Sequence, residues 1–181
     1  MWIRTYSGKQ FSFEQISPDN ICIEDIAHSL SQICRFGGHS HKFYSVAQHA
    51  CLVAHILFDT SRDLAKWGLL HDASEAYLGD ITHPLKTFLN NHTDCFISQV
   101  ESRLMEAITL KFNLPYVNYD LVNNVDKCLG LTEAKHFICD NIEDWDWCTN
   151  GFTPYEMEID PLSAALAEEA FLRWAKLLNI K

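Results

Sequence analysis

The chain has 181 residues, of which 48% are hydrophobic and 21% are charged, as is typical of a globular protein that buries one sizeable core. Its formal net charge of −10 disfavours binding to a nucleic acid polymer, because an acidic surface repels a polyanion and gains little from counterion release. A mononucleotide is less constrained, since one metal ion and a few cationic side chains can neutralise it locally.

No stretch approaches 18 apolar residues, and the N-terminus MWIRTYSGKQ lacks the apolar core of a signal peptide. The seven cysteines form no C-x-x-C pair and are odd in number, which favours reduced thiols over a disulfide framework. We therefore expect a single domain over residues 1–181, no membrane contact and a cytoplasmic location.

The N-terminal part of the chain begins with a strand pattern and then becomes helical. Residues 1–14 alternate around Ser7-Gly8, which predicts a short β-hairpin. Apolar residues at steps of three and four predict a first helix from Ile23 to about Arg35, before a pair of glycines. We expect the second helix to start at Ser45, with Gln48 completing a capping box.

The rest of the chain continues with helical periodicity. Three further helices are predicted over residues 61–78, 94–112 and 120–138. The segment from Gly79 through Pro84 is a predicted loop, and the acidic, aromatic stretch Asn141–Tyr155 is a predicted loop or lid. The predicted fold class is therefore all-α, a helical bundle with a small N-terminal β-hairpin.

The last predicted helix takes Asp160 as its N-cap and Pro161 as its first helical residue. Its predicted inward stripe consists of Leu166, Ala170, Trp174 and Leu177.

Polar residues interrupt the apolar stripes of three predicted helices. His49 lies on the second helix, His71 in the middle of the third beside Asp72, and Asp126 on the fifth. Taken singly, His49 fits a core histidine bonded to a backbone carbonyl, and Asp126 fits a buried salt bridge. A buried carboxylate is costly unless it is paired or bound to a cation, and one divalent ion where the helices converge explains all the intrusions together.

These side chains form a mixed nitrogen and oxygen ligand set without thiolate. Such a set suits Mn²⁺, Co²⁺, Fe²⁺, Ni²⁺ or Zn²⁺ and leaves positions open for water and a phosphate oxygen. We expect the cofactor to be Zn²⁺, Co²⁺ or Mn²⁺, with Mg²⁺ as the alternative.

Three blocks of the sequence, within residues 20–140, resemble the HD-domain nucleotide phosphohydrolases. They are HDASEAYLGDITHPLK (His71–Lys86), CRFGGHSHKFYSVAQH (Cys34–His49) and NNVDKCLGLTEAK (Asn123–Lys135). In that family the metal ligands are a His, an adjacent His-Asp pair and a later Asp. By motif, the resemblance implies the ligands His49, His71, Asp72 and Asp126.

Two types within the family are similar to this chain. The RFGGH…FYSVAQH block resembles phage dATP triphosphohydrolases, which implies hydrolysis of dATP to deoxyadenosine and tripolyphosphate in the host cytoplasm. The alternative type is a bacterial 5′-deoxynucleotidase that acts on monophosphates of any base. Both imply a homo-oligomer, from dimer to hexamer. The alternative of another class is a non-catalytic nucleotide-binding bundle.

Four further residues have expected roles in catalysis and phosphate binding. Glu75, one turn after His71, can orient or deprotonate the attacking water, and Asp80 can hold that water or protonate the leaving oxygen. Arg35 and Lys86 lie beyond predicted helix ends, where a guanidinium fork and an ammonium can reach a phosphate. The alternatives are a surface glutamate, a loop-capping aspartate and a solvated lysine.

Aromatic residues and histidines in loops complete the candidates. Phe36 is expected to stack on the base with Pro84 opposite, although the phage enzymes carry Trp at the matching position. His39 and His41 are expected to pack in their loop or face solvent rather than bind metal. The tryptophans of the acidic segment fit either a cap on the site or an oligomer contact; they are Trp145 and Trp147.

Overall fold

The computed structural model describes residues 1–139 and 141–181. Two strands, β1 (Ile3–Arg4) and β2 (Gln10–Phe11), pair antiparallel in the register Ile3 to Phe11 and precede the helices. The helices are α1 (Ile23–Gln32), α2 (Val46–Phe58), α3 (Arg62–Leu70), α4 (Glu75–Leu78), α5 (His83–His92), α6 (Phe96–Phe112), α7 (Tyr119–Phe137), α8 (Asp146–Thr149) and α9 (Ala164–Leu177). Short 3₁₀ turns cover Pro18–Asn20 and Phe36–Gly38. The predicted helical bundle with a small N-terminal hairpin is confirmed.

Helix α2 occupies the centre of the bundle. It packs against α1, α3, α7 and α9, so that most of its side chains are buried. Its stripe includes Val46, Ala50 and Val53, each with no exposed surface, and His49 lies among them with 0% exposure. The most buried helix therefore carries an ionisable side chain into the core.

A glycine allows α3 to approach α2 closely. A Cβ built on Gly68 would lie 2.9 Å from Leu57 Cδ1 and 3.1 Å from Ala54 Cα. Alanine normally favours a helix by about 1 kcal/mol over glycine, but overpacking a core costs about 1–3 kcal/mol. We expect Gly68→Ala to lower the free energy of unfolding in urea. Ser102→Ala, on an exposed site of α6, is the control and should change it by less than about 0.5 kcal/mol.

The predicted third helix is wrong in its continuity, because it breaks after Leu70 and resumes as α4 at Glu75. The Nδ1 atom of His71 is 2.8 Å from the Gly68 carbonyl, the acceptor that the amide of residue 72 would use in an α-helix. The following amides bond three residues back, as Ala73 does to Leu70. His71 therefore lies at the end of α3 and not in mid-helix.

The predicted loop through Pro84 is also wrong at its C-terminal part. Helix α5 begins at His83 with Pro84 in its first turn, a position that proline tolerates because that amide has no helical acceptor. Lys86 consequently lies on α5 and not beyond a helix end. The helix has no buried residue and packs mainly on α6.

The predicted start of the last helix is wrong, and its predicted stripe is right in part, because Ala170 and Trp174 pack against the core. Helix α9 starts after Ser163, whose side chain accepts a hydrogen bond from the Leu166 amide. The side chain of Gln48 holds the Asp160 segment instead. Gln48 Nε2 donates to the Asp160 carbonyl at 2.7 Å, and Gln48 Oε1 accepts from the backbone amide of Leu162. The Ser45 cap on the Gln48 amide is confirmed, whereas the reciprocal half of the capping box is replaced by these contacts. The buried stripe of α9 is Ala167, Phe171, Ala175 and Leu178, while Leu166 and Leu177 are about half exposed.

The structure bears on the predictions about membrane-spanning helices and about free thiols. Within residues 1–139 and 141–181, no helix is long and apolar enough to cross a bilayer. All seven cysteines are free thiols.

Candidate metal centre and adjoining cavity

Side chains from α2, the end of α3 and α7 meet in the bundle. His49 Nε2 lies 3.0 Å from Asp126 Oδ1 and 3.3 Å from His71 Nε2. His71 Nε2 lies 3.2 Å from Asp72 Oδ2 and 3.7 Å from Asp126 Oδ1. The donor atoms of His49, His71 and Asp72 all fall within 4.8 Å of one another, so this group can hold a metal ion.

The second nitrogen of each imidazole fixes its tautomer. His71 Nδ1 must carry the proton, because its partner at 2.8 Å is the carbonyl of Gly68, which only accepts. His49 Nδ1 is 2.7 Å from Glu133 Oε1, and that carboxylate likewise accepts. Each Nε2 lone pair therefore remains free to bind a metal ion between the two rings. Metal-binding histidines commonly donate their other ring N–H to a carboxylate or carbonyl in this way.

The spacing of the donor atoms fits a small divalent ion. Two ligands about 2.1 Å from a cation and at right angles to each other lie about 3.0 Å apart, close to the separations found between Nε2 and carboxylate oxygens here. With both imidazoles neutral, the carboxylates of Asp72 and Asp126 give the group a charge of −2. A divalent cation would neutralise that charge.

Electrostatics within the group point the same way. Burial alone lowers the pKa of His71, but the carboxylates of Asp72 and Asp126 outweigh it and hold that pKa well above its ordinary value. Burial raises the pKa of Asp126, yet His49 and His71 hold it well below its usual range. The same field that favours protons on the imidazoles would stabilise a metal ion in their place.

Glu133 connects the metal group to the core, although no role was predicted for it from the sequence. The residue is fully buried, and its Oε1 accepts a hydrogen bond from Tyr44 Oη at 2.6 Å besides facing His49 Nδ1. Its Oε2 forms an ion pair with Arg35 Nε at 3.0 Å. Burial raises the pKa of Glu133, but Arg35 and His49 outweigh it and lower that pKa. Glu133 lies seven residues, or two helical turns, after Asp126, and this spacing could have predicted that both side chains lie on the same face of α7.

Arg35 spans the space between the metal group and a cavity. It follows α1, and its amide donates to the Tyr44 carbonyl. The residue is buried, with 8% of its surface exposed. Its Nη1 lies 3.6 Å from Asp72 Oδ2. The expected position beyond a helix end is confirmed, and the guanidinium is held by two carboxylates at once.

A cavity of about 520 Å³ opens beside Arg35. Phe36 and Pro84, expected on opposite sides of a base, both line it, and Asp80 lines it as well. Burial raises the pKa of Asp80. The other lining residues are His39, Thr82, His83, Ile138, Asp144, Trp145, Asp146 and Trp147. Of the two expected roles for the tryptophans, a cap beside the candidate site is the one that this position supports.

Glu75 and Lys86 lie apart from that cavity, in a narrow crevice next to Gly79. Lys86 Nζ is 2.7 Å from Glu101 Oε1, so the ammonium is already paired. Burial, followed by the carboxylates of Asp72 and Asp80, holds the pKa of Glu75 well above its usual range. Within residues 1–139 and 141–181, no group forms a hydrogen bond with its buried Oε2.

The two loop histidines, His39 and His41, lie outside the metal group. His39 lines the cavity, whereas His41 is exposed and its amide donates to the Phe137 carbonyl at 2.8 Å. The metal-ligand group contains neither of them.

Comparison with known proteins gives relatives of this chain. The uncharacterized protein YfdR of Escherichia coli strain K12 is 40% identical over 144 residues, which are 80% of this chain and 76% of that protein. The chain belongs to the YfdR family. The uncharacterized protein RCAP_rcc00048 of Rhodobacter capsulatus is 34% identical over 122 residues, 64% of this chain and 60% of its own length. No family model matches the sequence.

The cavity wall of this YfdR-family chain depends on one glycine of α7. A Cβ on Gly130 would lie 2.5 Å from Trp147 Cζ3, so the indole rests directly on the helix backbone. We expect Gly130→Ala to displace the ring, shift tryptophan emission to longer wavelength and lower the free energy of unfolding by about 1–3 kcal/mol.

A double-mutant cycle tests the cause of that effect. In a Trp147→Leu background, where the clashing ring is gone, Gly130→Ala should cost less than in the wild type. Equal costs in both backgrounds would show that the glycine acts through some other contact.

Proposed function

We propose that this chain is a metal-dependent phosphohydrolase of the HD-domain type that removes phosphate from a small deoxynucleotide. The observation that carries the proposal is the convergence of two tautomer-fixed imidazoles and two carboxylates beside a cavity lined by Arg35. The sequence blocks that resemble HD-domain phosphohydrolases contain the same residues.

Each side chain has a task in this reaction. A divalent cation, when bound, would lower the pKa of water and polarise a phosphate oxygen. Arg35, held rigid by Glu133, offsets negative charge that develops on the phosphoryl oxygens. Glu75 orients the attacking water and accepts its proton, and Asp80 donates a proton to the 5′ oxygen as the phosphorus–oxygen bond breaks. A raised pKa makes the Glu75 carboxylate a stronger base and favours the protonated form of Asp80, which donates.

The charges beside the cavity favour a substrate with one phosphate. The carboxylates of Asp144 and Asp146 line the cavity, and the guanidinium of Arg35 is the one permanently cationic group among its described lining residues. Lys86 is already neutralised by Glu101. A second and third phosphate would meet little free positive charge among the described residues, so we favour a deoxynucleoside monophosphate over dATP. Hydrolysis of dATP to deoxyadenosine and tripolyphosphate, implied by the phage-type sequence block, is the second candidate.

A product assay separates these possibilities. The metal-stripped protein is incubated with Co²⁺, Mn²⁺, Zn²⁺ or Mg²⁺ and a panel of deoxynucleoside mono-, di- and triphosphates, and products are resolved by anion-exchange chromatography. We expect deoxynucleoside and inorganic phosphate from monophosphates, with no turnover in EDTA. Tripolyphosphate from dATP would establish the second candidate. No hydrolysis with any metal would leave a non-catalytic nucleotide-binding bundle.

A further inference from the structure

Two tryptophans line the cavity that Arg35 also lines. We propose that Trp145 and Trp147 form the surface on which the base of the substrate stacks, an inference that rests on the proposed function. The ligand class is a planar nucleobase joined to a phosphate, and the tryptophans determine how tightly that base is bound.

The lining of the cavity is aromatic on several sides. The ring of Trp145 lies 6.3 Å from that of Phe36 at an interplanar angle of 73°, and the ring of Trp147 lies 6.2 Å from that of His83 at 64°. Both pairs have edge-to-face geometry. Aromatic faces are suited to stacking with any base, because every base presents a π surface.

The size and placement of the cavity fit the nucleoside part of a nucleotide. Ligand pockets for small molecules commonly enclose about 300–1,000 Å³, and this cavity measures about 520 Å³. Arg35 lines it and also lies 3.6 Å from Asp72, so a phosphate at the metal group would leave room for the base in the part of the cavity that Trp145 and Trp147 line. The carboxylates of Asp144 and Asp146 disfavour a phosphate chain at that end.

The stacking surface is prepared by the fold rather than by the ligand. Trp147 rests on the bare backbone at Gly130, and Ile142 packs under the same segment in a small core with Leu131 and Ala134. Wall residues fixed in this way lose little freedom when a base binds, which favours affinity.

The test compares ligands with and without a base. Binding of dAMP and of deoxyribose 5-phosphate is measured by calorimetry in EDTA, where no metal-dependent turnover occurs. We expect Trp147→Leu and Trp145→Leu each to weaken dAMP binding about tenfold and to leave deoxyribose 5-phosphate unchanged. Trp147→Phe should restore most of the affinity, because a ring is kept. Trp2→Leu, on the exposed hairpin, is the matched control and should change neither ligand.

The two proposals fail separately. If dAMP binding depends on the tryptophans but no metal supports hydrolysis, the base subsite stands and the phosphohydrolase proposal falls. If monophosphates are hydrolysed while both leucine variants bind dAMP as the wild type does, the subsite is overturned. An equal loss for dAMP and deoxyribose 5-phosphate, with Trp147→Phe as impaired as Trp147→Leu, would also overturn it, because the tryptophans would then act only on the fold.

Discussion

Asp72→Asn is expected to lower turnover of a deoxynucleoside monophosphate by at least about a thousandfold, a loss of about 4 kcal/mol of transition-state stabilisation. The amide keeps the shape of the side chain but removes one of the two negative charges that would hold the cation. It also removes the ion pair between Asp72 and Arg35, which lie 3.6 Å apart. The measurement is the steady-state rate with saturating Mn²⁺ or Co²⁺.

The control for that variant is an exposed aspartate at the other end of α3. Asp63 lies in the first turn of α3 with a side chain 52% exposed, and its pair with Lys66 contributes little to stability at a surface. Asp63→Asn should therefore retain wild-type turnover. Near-normal rates for Asp72→Asn at low metal concentration, with the helical circular dichroism intact, would remove Asp72 from the reaction.

Glu133→Ala is expected to lower the free energy of unfolding by about 3–5 kcal/mol, as is typical when one member of a buried ion pair is removed. The change leaves the Arg35 guanidinium without its closest carboxylate and leaves Tyr44 Oη and His49 Nδ1 without their shared acceptor. Loss of the contact that orients His49 should also weaken metal binding about ten- to a hundredfold. Urea unfolding and metal titration measure the two effects.

Two variants separate charge from shape at this position. Glu133→Gln keeps an acceptor oxygen for His49 and Tyr44 but loses the charge opposite Arg35, so its stability should fall between those of the wild type and Glu133→Ala. Glu106→Ala, on an exposed site of α6, should stay within about 0.5 kcal/mol of the wild type. A Glu133→Ala protein as stable as Glu106→Ala would show that the buried network contributes nothing.

The residues of the metal group could be predicted because each one violates the hydrophobic pattern around it. His49 lies fully buried among alanines and valines on α2, and Asp126 interrupts the stripe of α7 with a side chain 26% exposed. Both positions favoured a polar or cationic partner. Helix periodicity placed them on inward faces without any knowledge of how the helices cross. Their distance of 3.0 Å confirms that they meet.

Two kinds of contact could not be predicted in the same way. The break after α3 depends on a local bond from His71 Nδ1 to the Gly68 carbonyl three residues back, which competes with the helical pattern. The late start of α9 depends on a tertiary contact, because Gln48 holds residue 160. The contact of Trp147 with Gly130 is of the same kind, since nothing local distinguishes that glycine from a weak helix residue.

Anomalous diffraction reveals whether the four side chains of the metal group share one divalent ion. Crystals of the protein grown with Mn²⁺ should give one strong anomalous peak per chain, about 2.0–2.2 Å from an atom of each of His49, His71, Asp72 and Asp126. Crystals of Asp126→Asn should lose or weaken that peak. A wild-type crystal at saturating Mn²⁺ with no peak between these residues, or with its peak elsewhere, would show that they do not share one ion.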